Sequence, residues 1–131
     1  MFSKGGDIGY WTNNVKTISP EETVRKAAKI MEDAKISSLM IVDIERPKGI
    51  ITERDMTRVI AEGMNPDSTT VGDIMSRDPV TVRISEEPST VTKIMIAHGF
   101  RHMPVVDDNE NLVGIISLRD LIRIMVIESV K

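Results

Sequence analysis

The sequence predicts an α/β (α+β) chain built from two βαββα repeats packed sheet to sheet with pseudo-twofold symmetry. Three observations predict it. "GIITERD" at residues 49–55 returns as "GIISLRD" at 114–120, at an offset of 65. "KIMEDAKISSLMIVD" at 29–43 returns as "KIMIAHGFRHMPVVD" at 93–107, at an offset of 64. Between the two matches lie "VDIERPKG" and "VDDNENLVG", so the extra residue falls in a turn-rich loop, where insertions are tolerated. A unit of about 60 residues buries too little apolar surface to stand comfortably alone, whereas two copies share one core.

The elements follow in order. Residues 1–11 match nothing in the repeat and form a leader, either flexible or part of a dimer contact. "VKTI" (15–18) and "VTVRI" (80–84) are short and β-branched, and read as first strands. Helices follow, with Val24, Ala27, Ala28, Met31 and Ala34 on one apolar face and Val91, Ile94, Met95 and His98 on the other copy's. Ser19-Pro20-Glu21-Glu22 supplies an N-cap, a proline at the first helical position and early negative charge. "LMIVD" and "MPVVD" are buried-type strands, and "KGIIT" and "LVGIIS" a second pair. A closing helix ends each copy, turning Met56, Val59 and Ile60, or Leu121, Ile122 and Met125, inward. "MNPDSTTVGDIMSRDP" joins the copies and includes one short helical turn. The expected organisation is a leader over 1–11, a first repeat over 12–66, a linker over 67–75 and a second repeat over 76–131.

Composition narrows the function. Aromatics are only 3%, so the core is aliphatic, filled by isoleucine, valine and nine methionines. A net charge of −3 argues against a nucleic-acid partner. Without cysteine there is no disulfide or thiolate chemistry. No apolar run approaches the roughly 18 residues that span a bilayer, and the start lacks a secretion signal, so the expected location is the cytoplasm, with no membrane partner.

The chain resembles the CBS domain family, named after cystathionine β-synthase, in the tandem arrangement called a Bateman module. The resemblance spans residues 12–126. It rests on the Gly-h-h-[Thr/Ser]-x-Arg-Asp phrase in both copies, on "LMIVD" and "MPVVD" before them, and on "VGDIMSRDPVTV" opening the second copy. It implies paired α/β units that often dimerise into a flat disc, hence a homodimer here.

Two roles fit "TERD" and "SLRD". Thr52 and Ser117 can cap helices, with Asp55 and Asp120 satisfying backbone N–H groups as in a capping box. The same geometry suits a nucleotide: the helix N-terminus favours phosphate, the aspartate accepts from ribose hydroxyls, Arg54 or Arg119 offers forked donors, and Ile50 or Ile115 flanks a purine. The resemblance implies adenosine-nucleotide sites using this Thr/Ser and Asp, each ligand being shared between copies. Carried over by position, the first site takes Ile50, Thr52, Arg54 and Asp55, with Val80, Thr81, Phe100, Arg101, His102 and Pro104 opposite. The second takes Ile115, Ser117, Arg119 and Asp120, with Lys16, Thr17, Ile36, Ser37, Ser38 and Met40 opposite. Arg101 and His102 favour tighter binding at the first site, and Met40, where the family often has proline, alters the second.

Nothing supports catalysis: there is no metal constellation, phosphate loop or dinucleotide fingerprint. The expectation is therefore a non-catalytic regulatory module with no other cofactor that takes an adenosine-containing regulatory ligand: an adenine nucleotide (AMP, ADP or ATP) is favoured, and S-adenosylmethionine, NAD or a cyclic dinucleotide offers the same moiety. With no effector domain in these residues, its output passes to a separate effector protein or to a changed dimer. The alternative is a ligand-independent dimerisation or scaffold module.

Overall fold

The computed structural model describes residues 11–129. Its elements run α1 (Val24–Ala34), β1 (Ser38–Asp43), β2 (Arg46–Thr52), α2 (Glu53–Ala61), α3 (Val71–Ile74), β3 (Ser76–Arg77), β4 (Val82–Arg83), α4 (Pro88–His98), β5 (His102–Val106), β6 (Leu112–Ser117) and α5 (Leu118–Ser129). They form mixed α and β structure with two three-stranded sheets, β1-β2-β3 and β4-β5-β6. The described residues divide into two compact units, Lys16–Pro79 and a second made of residues 11–15 together with residues 80–129.

The first-repeat unit is built around the β1–β2 hairpin. Leu39, Ile41 and Ile51 meet Val24, Ala27 and Met31 of α1 and Val59 of α2 in its core. The hairpin turns at Ile44 and Glu45, whose φ angles of 48° and 67° are those of a type I′ turn. The register shifts after Ile41 and again, in the second copy, after Val105, so the repeat extends to a matched bulge in each hairpin. The first strands are shorter than predicted. "VKTI" contributes a single parallel bridge, Thr17 to Met40, while "VTVRI" supplies β4, parallel to β5.

Ser19-Pro20-Glu21-Glu22 does not start the first helix. Thr23 is the N-cap, accepting from the Lys26 N–H at 3.1 Å. The cause lies in the linker: Val71 N–H donates to the Glu22 carbonyl at 2.8 Å and Gly72 N–H to the Pro20 carbonyl at 2.9 Å, which holds the segment as a turn. Arg25 adds a forked pair to Asp67, whose hydrogen bonds hold that carboxyl below its ordinary value. In the second copy, Pro88 does open α4.

The closing helices also differ from expectation. Val59 and Leu121 are buried, whereas Ile60, Ile122 and Met125 are exposed. Each helix covers one face of a narrow sheet, so the buried stripe is narrower than the apolar residues allow.

The second-repeat unit packs Val82, Met103, Val105 and Ile116 against Val91 and Met95 of α4 and Leu121 of α5. Trp11 joins this core at 1% exposure, although the sequence places it in the leader. Thr12 and Ile115 exchange backbone hydrogen bonds of 3.0 and 2.9 Å, setting the indole over Gly114. A Cβ on Gly114 would overlap that ring and approach the Thr12 carbonyl oxygen to 2.7 Å. The first-repeat unit repeats the device: Gly49 and Ile50 pair with Arg77 and Ser76, and a Cβ on Gly49 would lie 2.5 Å from Met75 Sδ. The glycine of the repeated phrase is the seat for a crossing segment.

Two consequences are measurable. Trp11→Ala should lose about 3–5 kcal/mol in urea denaturation, the cost of emptying a core aromatic site; a loss below about 1 kcal/mol would place Trp11 outside the core. Lys35 closes α1 with φ of 57°, where the matched residue of α4 is Gly99 with φ of 73°. Lys35→Gly should raise stability by about 1 kcal/mol with an unchanged denaturant slope, because glycine adopts that conformation without strain.

Candidate functional site

Each unit gathers its predicted site residues at the end of its sheet where α2 or α5 begins. In the first-repeat unit, Ser38 lies opposite Thr52 and Met40 opposite Ile50 across the β1–β2 ladder. Met40 also takes Thr17 as its bridge partner and donates its N–H to the Lys16 carbonyl at 3.0 Å. The Glu53 N–H, first of α2, donates to the Ser37 carbonyl at 3.1 Å, drawing the loop after Ile36 to the helix start. Lys16 and Arg54 are exposed, and Met40 is fully buried.

The second-repeat unit matches it. His102 lies opposite Ser117 and Pro104 opposite Ile115. The Leu118 N–H donates to the Arg101 carbonyl at 2.9 Å, the counterpart of the Glu53–Ser37 bond. Val80 and Thr81 lead into β4. Phe100 packs on the core and stacks on His98, with ring centroids 5.0 Å apart, so one of its faces is taken. Arg101 and Arg119 are exposed and, like Arg54, enter no ion pair among the described residues.

Residues that the resemblance divides between two ligands are thus register partners within a unit. What each unit presents is side-chain hydroxyls, the aspartate of the phrase, exposed cations and an apolar strand pair around a helix N-terminus, a setting suited to a phosphorylated sugar. One expected donor is spent, since the first N–H of each helix serves a loop carbonyl.

The two aspartates are held differently. Asp55 Oδ2 accepts from the Thr52 N–H at 2.8 Å and from the Thr52 hydroxyl at 3.3 Å. Its Oδ1 receives Arg58 Nη2 at 3.3 Å, and its side chain is 13% exposed. In the second phrase the Asp120 N–H donates to Ser117 Oγ at 3.0 Å. The Asp120 carboxylate, 26% exposed, faces Arg123 at 3.7 Å. Capping is therefore observed at both phrases, as a capping box at Thr52 and Asp55 and through the Asp120 N–H at Ser117. Arg58 and Arg123 were not among the expected site residues; their signal was the shared arginine three positions after each aspartate, the i,i+3 spacing of a helical ion pair.

Among the described residues, no group of three or more His, Asp or Glu side chains is placed to hold a metal ion, and no helix is long and apolar enough to cross a membrane.

The family model described as "CBS domain" matches residues 11–62 and 71–127. An uncharacterised protein of Methanopyrus kandleri is 40% identical over 113 residues, 85% of this chain, and the match spans 58% of that protein. A putative signal-transduction protein with CBS domains from Burkholderia ambifaria has a structure similar to this one with a TM-score of 0.81 at 32% identity, covering 86% of this chain and 83% of that one. The CBS domain pair of protein MJ0100, solved in complex with 5′-methylthioadenosine and S-adenosyl-L-methionine, gives a TM-score of 0.80 at 29% identity, covering 88% of this chain and 94% of that one.

Proposed function

The chain belongs to the CBS-domain family, carrying the domain twice in tandem, and from that membership we propose that it is a non-catalytic regulatory module for an adenosine-containing ligand. The observation that carries this reading is the capped, well-held carboxylate of Asp55 beside Thr52 and the exposed Arg54 at the start of α2. Asp55 and Asp120 would each grip a ribose, with Ile50 or Ile115 against the base. The cations Lys16, Arg54, Arg101 and Arg119 and the imidazole of His102 favour a phosphorylated ligand, AMP, ADP or ATP. That the similar pair of MJ0100 was solved with 5′-methylthioadenosine and S-adenosyl-L-methionine supports the adenosine moiety and adds the first of them to the candidates. Binding would bias an effector protein or a dimer only through unequal affinity for two states.

A thermal-shift panel of AMP, ADP, ATP, 5′-methylthioadenosine and S-adenosylmethionine tests this. At 100 times its dissociation constant a ligand adds about 2.7 kcal/mol, a shift of roughly 8–15 °C for a chain of this size. Asp55→Asn keeps an acceptor for the Thr52 N–H but loses the charge. It should abolish binding at its site at a cost of about 1 kcal/mol to the ligand-free protein. No shift with any of the five leaves a ligand-independent dimerisation module.

The dimer has its own support. On α4 and α5, Ile96, Ile122 and Met125 are 73%, 49% and 47% exposed, and the matching first-repeat positions are Glu32, Thr57 and Ile60. Exposed apolar side chains on these two helices suit a second copy meeting them about a twofold axis. Light scattering should give the mass of a dimer for the wild type and of a monomer for Ile122→Glu; a monomeric wild type would rule out this contact.

A further inference from the structure

Both repeats carry an arginine three residues beyond the aspartate of the shared phrase, and neither capping nor nucleotide binding has a use for it. In the first-repeat unit this residue, Arg58, bridges two parts of the chain. Its Nη2 donates to Asp55 Oδ1 at 3.3 Å and to the Ile74 carbonyl at 2.9 Å. Ile74 ends α3, where the carbonyls have no helical partner of their own. The next two residues, Met75 and Ser76, are the ones seated on Gly49 and paired with Ile50. The guanidinium therefore joins the carboxylate at the start of α2 to the segment that completes the sheet.

We propose that Arg58 is a positioning residue: it fixes the Asp55 carboxylate for a ribose and couples occupation of that carboxylate to the α3–β3 segment. The proposal rests on the nucleotide reading above. Asp55 is held at both oxygens, Oδ2 by Thr52 and Oδ1 by Arg58, so the ordering cost of an acceptor is met before a ligand arrives. Oδ1 keeps a lone pair for a ribose hydroxyl, since a carboxylate has about four acceptor positions and three are used. Arg123 stands 3.7 Å from Asp120 and supplies a looser hold. The expectation of tighter binding at the first site thus acquires a cause separate from Arg101 and His102. Coupling is reciprocal: whatever the Arg58 bridge adds to ligand affinity, the ligand returns to the bridge and to the segment it ties down.

The test uses the full chain with Arg58→Met, Arg58→Lys and Arg123→Met. Hydrogen exchange without ligand should quicken over residues 71–78 in Arg58→Met alone. Titration calorimetry with AMP should show affinity at the first site falling roughly fivefold or more in Arg58→Met, recovering in part in Arg58→Lys, and staying within about twofold in Arg123→Met. AMP should slow exchange over 71–78 in the wild type and not in Arg58→Met. Unchanged AMP affinity in Arg58→Met overturns the positioning role, and unchanged exchange overturns the tie to α3. A wild type that binds no adenosine compound, yet exchanges faster as Arg58→Met, overturns the nucleotide reading and leaves Arg58 a structural strut.

Discussion

Two glycines at contact distance from a crossing backbone govern the rest of the structure. At Gly49 the strand lies directly beneath Met75 and Ser76, and at Gly114 directly beneath Trp11 and Thr12. A single methyl group at either place would intrude on those segments. Because the seats are open, Ser76–Arg77 can complete the first sheet and Thr12 can bridge to the second. At the first seat the rest follows in sequence: β3 fixes α3, α3 presents the Ile74 carbonyl, and Arg58 reaches that carbonyl and Asp55 together.

At the phrase ends the atoms that cap the helix are the ones proposed to meet the ligand. A helix start favours a negative side chain and leaves donors to satisfy, so a hydroxyl and a carboxylate three residues apart stabilise it with no ligand present. The acid that caps is also an acid held still. At Asp55 three donors fix its position, whereas at Asp120 the backbone gives to serine and the carboxylate faces only a distant guanidinium. Sites with the same sequence signature therefore differ in how much order a ligand would still have to impose.

The duplicated pattern made the strands, the helices and the loop insertion legible, because a repeat constrains two readings of every element at once. What stayed hidden depended on contacts distant in sequence. Ser19 looks like a cap until the linker amides of Val71 and Gly72 claim the Pro20 and Glu22 carbonyls. Trp11 looks like leader because its partner, Gly114, is far along the chain. Ile44 and Glu45 lack the usual residues of the tight turn they make, so the hairpin is dictated by the strands on either side. At the site, the hydroxyl and acid of each phrase were legible from capping chemistry. The arginines three residues on give only a weak signal in the sequence, since a helical ion pair on a surface usually carries little.

The way the chain is threaded constrains how such a molecule could arise. Trp11, just ahead of the first repeat, and Thr12, which opens it, belong to the unit built on the second, and Ser76 and Arg77, which open the second, belong to the unit built on the first. A solitary repeat would carry a leading segment with no seat and a seat with no segment. Its simplest remedy is to trade segments with a second identical chain, as domain-swapped dimers do. Fusing two such chains end to end would keep the trade within one molecule, so the ancestral single repeat is best pictured as an obligate pair rather than as a free-standing monomer.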